Sequence, residues 1–458
     1  MDRAQAAAGG HAQGGISALF TDLYELTMMA GYFASGRAGD TATFDLYFRH
    51  PPAGVDLVVT AGLDPALDYL EQLRFTAEEL DYLRGLDMFT ADFLAYLGDL
   101  RFTGDVWAVP EGSPVFGDEP LLRVTAPLAE AQLVETALLN QICYSSLVAS
   151  NASQLAAAAR GKPVLEFGAR RAHGPNGAMT GARGAMIGGC TATSNVAAGK
   201  AFGAAVSGTQ AHAWIMAFDT ELEAFREYAR TFPDACVLLV DTYDTLGSGL
   251  PNAITVAREL AELGHELAGI RLDSGDLVSL AVGSRRMLDE AGFPKVKILA
   301  SGDLDAARVA ELEQLAAPID AYGVGTSLLT ARQDPALSGV YKLAEIHGSP
   351  VMKLSSSAAK TTSPGRKQVW RSSEGDVIGL ADEVRDGEPL LVEVMRDGRR
   401  LQPPEAIATL RERSLALTAD VRPRVLNGTW TVRRSAPLED LRTVTMQRLR
   451  TERTGRAQ

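Results

Sequence analysis

Apolar positions follow three different rhythms along the 458 residues. From Ile16 to Cys143 the pattern is mixed. It predicts a short helix over 21–33, strands over 41–48 and 55–60, and a helix over 63–73. Turn-bounded strands follow around 104–124. A 3.6-residue period over 128–160 then predicts one long helix with a break in it. Between Pro163 and Leu343 short apolar runs recur, and each ends in a polar or glycine-rich cluster. The runs end at Phe167–Arg171, Cys190–Asn195, Gly208–His212, Asp241–Thr245, Asp273–Asp276, Ser301–Asp303 and Gly323–Ser327, with helical stretches such as 253–263 and 305–315 between some of them. This is β–α repetition with buried parallel strands. Seven such units predict an α/β fold built on a closed, irregular TIM-like barrel, with its chemistry at the C-terminal strand ends. From Ala344 onward the chain is more polar. A turn-rich loop is predicted over 360–367, a strand over 368–371 and helices after that, with a basic end from Arg442 expected to fray. There is no internal repeat and no low-complexity linker.

Composition narrows the picture. A 46% hydrophobic chain of this length supports two domains or more. No apolar run approaches the ~20 residues of a membrane span. Residues 1–15 hold no apolar segment of the kind a signal peptide needs, so they are expected to form a loose tail and the protein to stay in the cytoplasm, away from membranes. Cys143, Cys190 and Cys236 form no metal-ligand or disulfide pattern. A net charge of −13 argues against a nucleic-acid surface but not against small anionic substrates, which local arginines can hold.

The polar residues at the strand ends supply such local groups. Arg170 and Arg171 follow an apolar run and precede a glycine-rich turn. Their forked guanidinium groups suit phosphate and carboxylate, although a bare Arg-Arg pair is more often a solvated surface feature. His212, close to Thr209, is placed to act as acid, base or nucleophile rather than as a structural histidine beside Trp214. Asp241 and Asp244 are three apart and suit a magnesium ion or ribose hydroxyls, with a helix cap as the plainer alternative. Arg271 and Asp273 point the same way along a strand and head the densest cluster, with Ser274, Gly275 and Asp276. An internal ion pair is the competing explanation for the Arg271–Asp273 couple. Gly302, Gly325 and Thr326 form two short turns on the last two strands, where backbone N–H groups can approach a phosphate. These residues describe a barrel enzyme with an anionic, phosphorylated, magnesium-associated substrate, and do not name its reaction.

At these residues the sequence resembles the nicotinate phosphoribosyltransferase family. The resemblance is carried, in family order, by Thr21–Met28, Glu166–Arg171, Gly208–His212, Asp241–Thr245, Arg271–Asp276 and Gly323–Ser327, and it loosens after Leu343. It implies that nicotinate, phosphoribosyl diphosphate and ATP become nicotinate mononucleotide, diphosphate, ADP and phosphate, the first step of NAD salvage from nicotinate. It implies that His212 is phosphorylated by ATP, that Tyr24 and Phe167 sandwich the pyridine ring, and that Thr209 and Arg271 hold the acid. Asp273 would face the ribose or its magnesium, and Arg170, Ser274, Gly302, Gly325 and Thr326 would lie around the phosphates. Tyr24 would reach in from a second subunit of a homodimer with shared active sites. The implied architecture is a tail (1–15), an α/β sandwich begun by 16–145 and completed by 344–458, and a barrel over 146–343. A nicotinamide-using relative would carry an acid where this chain has Ser194. A quinolinate-using relative would be shorter and lack His212. A non-catalytic barrel protein would have lost His212, Arg271 or the aspartates.

Overall fold

The structure, a computed structural model, describes residues 16–355 and 361–455. The expected tail and the first residue of the turn-rich loop lie outside the described residues.

Two hydrophobic cores share one long helix. The predicted break falls at Val134, which separates the helices Leu128–Leu133 and Glu135–Ala158. The first core lies on an antiparallel seven-stranded sheet. Its central strand Thr41–Phe48 pairs antiparallel with Leu122–Pro127 on one side and Gly339–Ile346 on the other. Asp105–Ala108 and Val392–Arg396 extend the first side. Residues from both sides of the β–α segment therefore build one sheet. A four-stranded sheet built on Lys367–Ser372 and Gly375–Leu380 is tied to it by a buried polar link. Lys367 lies 2.7 Å from Asp45 on the central strand, and Arg123 donates to the Lys367 carbonyl at 2.6 Å while its guanidinium covers the Trp107 ring. The predicted strand over 55–60 shrinks to Val58–Val59; the Val59 amide donates to the Ser150 hydroxyl and the Ala61 amide to the Ser146 hydroxyl, both on the shared helix.

The basic end does not fray as expected. Ala436–Gly455 is helical, because Leu438 and Thr445 are buried and the helix packs on the strand Gly375–Leu380. Near the other terminus, the helix Leu23–Ala34 buries Glu25, which accepts from the Thr136 amide at 3.0 Å and the Thr136 hydroxyl at 2.6 Å. Burial raises its carboxyl to about 7 against these donors, with the charge of Glu135 adding to the rise. The folded protein therefore takes up a proton between the ordinary glutamate range and about 7, and loses stability as pH rises through that window. Replacing Glu25 with Gln removes the titration. The Tm of the wild type should fall relative to that of Glu25→Gln between about pH 5 and about pH 8, and a difference constant with pH would assign the titration elsewhere.

The second core surrounds a curled, half-barrel sheet of six parallel strands. Their order is Ala192–Thr193, Val164–Glu166, Ala321–Val324, Lys297–Ala300, Gly269–Leu272 and Val237–Leu239. The third of the seven predicted units does not form a strand. It contributes a single parallel bridge, Thr193 to Val206, before the chain turns away at Gly208. All six strands end toward the same rim, so the polar clusters that follow them gather there.

Candidate active site

Arg271, the third residue of the strand Gly269–Leu272, is the centre of the rim. Its Nε donates to Ser301 Oγ, its Nη1 to Thr209 Oγ1 and its Nη2 to Asp273 Oδ1, each at 2.8 Å. A guanidinium carries five N–H donors. These three bonds fix its plane and leave one N–H on each terminal nitrogen for a ligand. Its Cζ lies 5.8 Å from the centre of the Phe167 ring. The largely buried guanidinium and the aromatic face therefore present a cation beside a flat apolar surface, the pair of features a planar aromatic acid needs.

The neighbouring strand ends hold this arrangement. Phe167 follows the strand Val164–Glu166, and its amide donates to Val324 O at 2.8 Å. Its ring lies over Gly323, where an added Cβ would come within 2.6 Å of two ring carbons, so a side chain at 323 would displace it. The buried Glu166 carboxylate accepts from Gly168 N and Thr193 Oγ1, which pins the turn leaving the strand; burial raises its pKa despite these donors. Gly302 has φ of 88°, and a Cβ there would stand 1.9 Å from Asp273 O. Its glycine is thus required for close backbone packing against Asp273, whatever its relation to a phosphate. Ser301 Oγ also donates to Asp273 Oδ1 at 2.6 Å. Burial works to raise the Asp273 carboxyl, but donation from Ser301 and Arg271, with the charges of Arg271 and His212, holds it below the usual aspartate range.

His212 begins the short helix His212–Met216 and is half exposed. Its Nδ1 lies 3.1 Å from Thr242 Oγ1, and its Nε2 lies 3.9 Å from Asp273 Oδ2. Thr242 thus orients the ring so that Nε2 faces the pocket beside Asp273.

Asp241 and Asp244 have different partners. Asp241 Oδ2 accepts from Asp273 N and Ser274 Oγ, both at 2.8 Å, while its Oδ1 is buried without a partner. Asp244 is exposed and caps Gly247 N at 2.9 Å, the plainer alternative for this residue. Among the described residues no group of three or more His, Cys, Asp or Glu side chains is placed to hold a metal. Asp276 likewise caps the helix Leu277–Glu290 through Val278 N and Ser279. Ser274 is tied to Asp241, Arg170 and Arg171 are exposed on the turn after Phe167, and Gly325 and Thr326 begin a short helix beside it. Ser194 follows the edge strand, exposed, with its amide on Glu166 O.

Two residues of this machinery were not singled out by their sequence context. Ser301 stands in a glycine turn that reads as a phosphate loop, yet it bridges Arg271 to Asp273. Thr242 sits between two aspartates that draw the eye first, yet it is the partner of His212.

The sequence also matches family models over this region. Residues 19–143 match the nicotinate phosphoribosyltransferase N-terminal domain, and residues 163–386 match the nicotinate phosphoribosyltransferase family. The chain belongs to the nicotinate phosphoribosyltransferase family. It is 47% identical over 392 residues to nicotinate phosphoribosyltransferase pncB2 of Mycobacterium tuberculosis, covering 84% of this chain and 83% of that protein. It is 48% identical over 376 residues to the Bacillus subtilis nicotinate phosphoribosyltransferase, covering 80% and 76%. The crystal structure of the human nicotinic acid phosphoribosyltransferase superposes with a TM-score of 0.83 at 30% identity, over 93% of this chain and 99% of that one. The resemblance read from six ordered motifs is therefore borne out, as is the mixed α/β class. No helix among the described residues is long and apolar enough to cross a membrane.

Proposed function

We propose that the chain is an enzyme that transfers a phosphoribosyl group from phosphoribosyl diphosphate to nicotinate, as the first step of NAD salvage in the cytoplasm. The observation that carries this reading is Arg271, held by three partners and beside Phe167, with one N–H left on each terminal nitrogen. Phe167 takes one face of the pyridine ring, Arg271 takes its carboxylate, and Thr209 orients Arg271. Ser194, an uncharged residue beside the Val164–Glu166 strand end, supports nicotinate over nicotinamide, because an acid there would repel the carboxylate.

Displacement of diphosphate passes through an oxocarbenium-like state, which needs positioning and charge complementarity more than a strong base. Asp273, held ionised, faces the developing positive charge on the ribose. Arg170, Ser274, Gly302, Gly325 and Thr326 surround the phosphate groups. Magnesium would neutralise charge on the diphosphate, and Asp241, which keeps one carboxylate oxygen free of protein partners, is the acid that would help to hold it. His212 accepts a phosphoryl group from ATP, and the phosphorylated side chain couples ATP hydrolysis to turnover. The six parallel strands and the Val206 bridge form the irregular barrel that carries these groups.

The site is shared between two subunits of a homodimer. Tyr24 is exposed in company with Phe20, Leu23 and Met28, an apolar group of the kind a second subunit covers. Partial burial of its hydroxyl, followed by the charges of Glu135, Glu25 and Asp22, raises its pKa, so it stays neutral. Presented to the partner's site, its ring supplies the second face for the pyridine.

The test is product formation from phosphoribosyl diphosphate with nicotinate, nicotinamide and quinolinate in parallel, with and without magnesium ATP. Turnover of nicotinate alone, raised by ATP, is the expected result. Preference for nicotinamide would overturn the Ser194 argument, and no turnover of any ring would favour a non-catalytic binding protein.

A further inference from the structure

The parallel sheet has an open edge at Val237–Leu239, and one side chain occupies it. On its inner side that strand pairs with Gly269–Leu272. On its outer side Val237 O and Leu239 N have no strand beside them, because the chain that pairs with Thr193 through Val206 turns away at Gly208. Gln210 fills the gap. In the amide orientation that satisfies both groups, its nitrogen donates to Val237 O at 2.8 Å and its oxygen accepts from Leu239 N at 3.2 Å. A residue of a parallel neighbouring strand makes the same two bonds, donating to the residue before its partner and accepting from the residue after it. The Gln210 amide thus stands where a strand residue opposite Leu238 would stand. It is buried, so without it two main-chain groups would lose their partners.

The residues on either side of Gln210 give this contact its meaning. Thr209 receives Arg271 Nη1, and His212 meets Thr242 and Asp273. Thr209 Oγ1 also donates to Gln210 O at 3.1 Å. The segment 208–212 has no strand ladder of its own to fix it. We infer that Gln210 is a positioning residue whose side-chain amide replaces a missing strand and sets Thr209 and His212 in register with Arg271 and Asp273. The role requires a donor and an acceptor at the end of a two-methylene stem. Glutamate supplies only acceptors when ionised, methionine neither function, and asparagine is one methylene short. This inference rests on the reading of Arg271 as the nicotinate anchor.

The experiment compares Gln210→Met, Gln210→Glu and Arg271→Ala with the wild type in steady-state assays of the full-length protein. The KM values for nicotinate and for phosphoribosyl diphosphate, kcat, and ATP hydrolysed per product are measured, with the folded fraction followed by circular dichroism. Gln210→Met is expected to raise the KM for nicotinate about tenfold and to raise ATP consumed per product, with the folded fraction unchanged. A KM and a coupling ratio equal to wild type, or a loss confined to kcat in proportion to the folded fraction, would overturn the inference. Gln210→Glu applies the same criterion if the methionine variant does not fold. Should Arg271→Ala leave the KM for nicotinate unchanged, the site reading itself fails. Should that variant lose nicotinate while both Gln210 variants behave as wild type, only the role of Gln210 falls.

Discussion

Replacing Arg271 with alanine should cost nicotinate binding about 2–5 kcal/mol, an affinity loss on the order of 30-fold to several thousandfold. The size follows from the surroundings. The guanidinium is largely buried and its plane is fixed by Ser301, Thr209 and Asp273. Its removal leaves the substrate carboxylate without a cation and leaves Asp273 without its strongest charged neighbour. Lysine should not rescue the loss, because an ammonium cannot bond to three protein partners and still present two N–H groups side by side. The measurement is equilibrium binding of nicotinate. Affinity equal to wild type would remove Arg271 from the role, and loss of phosphoribosyl diphosphate binding alone would move it to the other substrate.

Removing the imidazole of His212 should act on a different part of the cycle. His212→Ala is expected to lower ATP hydrolysis by at least on the order of 100-fold and to abolish incorporation of label from γ-labelled ATP, while slow nicotinate transfer persists. Transfer survives because His212 stands at the edge of the Arg271–Phe167 platform, with Nε2 toward Asp273 and Nδ1 committed to Thr242. The readout is ATP hydrolysis and acid-labile protein phosphate measured beside product formation. ATP hydrolysis at the wild-type rate would exclude His212 as the phosphoryl acceptor.

Much of the site is legible in the chain because parallel strands deliver their ends to one rim. Each apolar run announces a strand, and the polar residues just after it are neighbours in space although tens of residues apart in sequence. Arg271, Asp273 and His212 are found this way, whereas the roles of Phe167 and Thr209 come from the family resemblance. What escapes is pairing across strands. Ser301 reads as part of a glycine turn, and only the register of Lys297–Ala300 against Gly269–Leu272 sets it between Arg271 and Asp273. The residues around Gln210 read as a strand unit, but a single bridge at Val206 followed by Gly208 cannot sustain one. The Asp241–Asp244 spacing fits a metal pair and a helix cap equally well, and the side-chain directions favour the cap for Asp244. The helical end after Ala436 is hidden by its charge, since a few buried positions such as Leu438 and Thr445 are enough to dock it.

The central strand Thr41–Phe48 has a consequence for how the protein is made. One of its two partners, Leu122–Pro127, follows soon after it, but the other, Gly339–Ile346, is separated from it by the whole parallel sheet. The strand Asp105–Ala108 waits still longer, for Val392–Arg396. During synthesis the ribosome therefore releases an amino-terminal half whose sheet has two bare apolar edges, while the β–α segment has all its strands and can settle first. The nascent chain is most open to aggregation and to chaperone capture in that interval. A message truncated before codon 392 would leave one of those edges permanently unpaired.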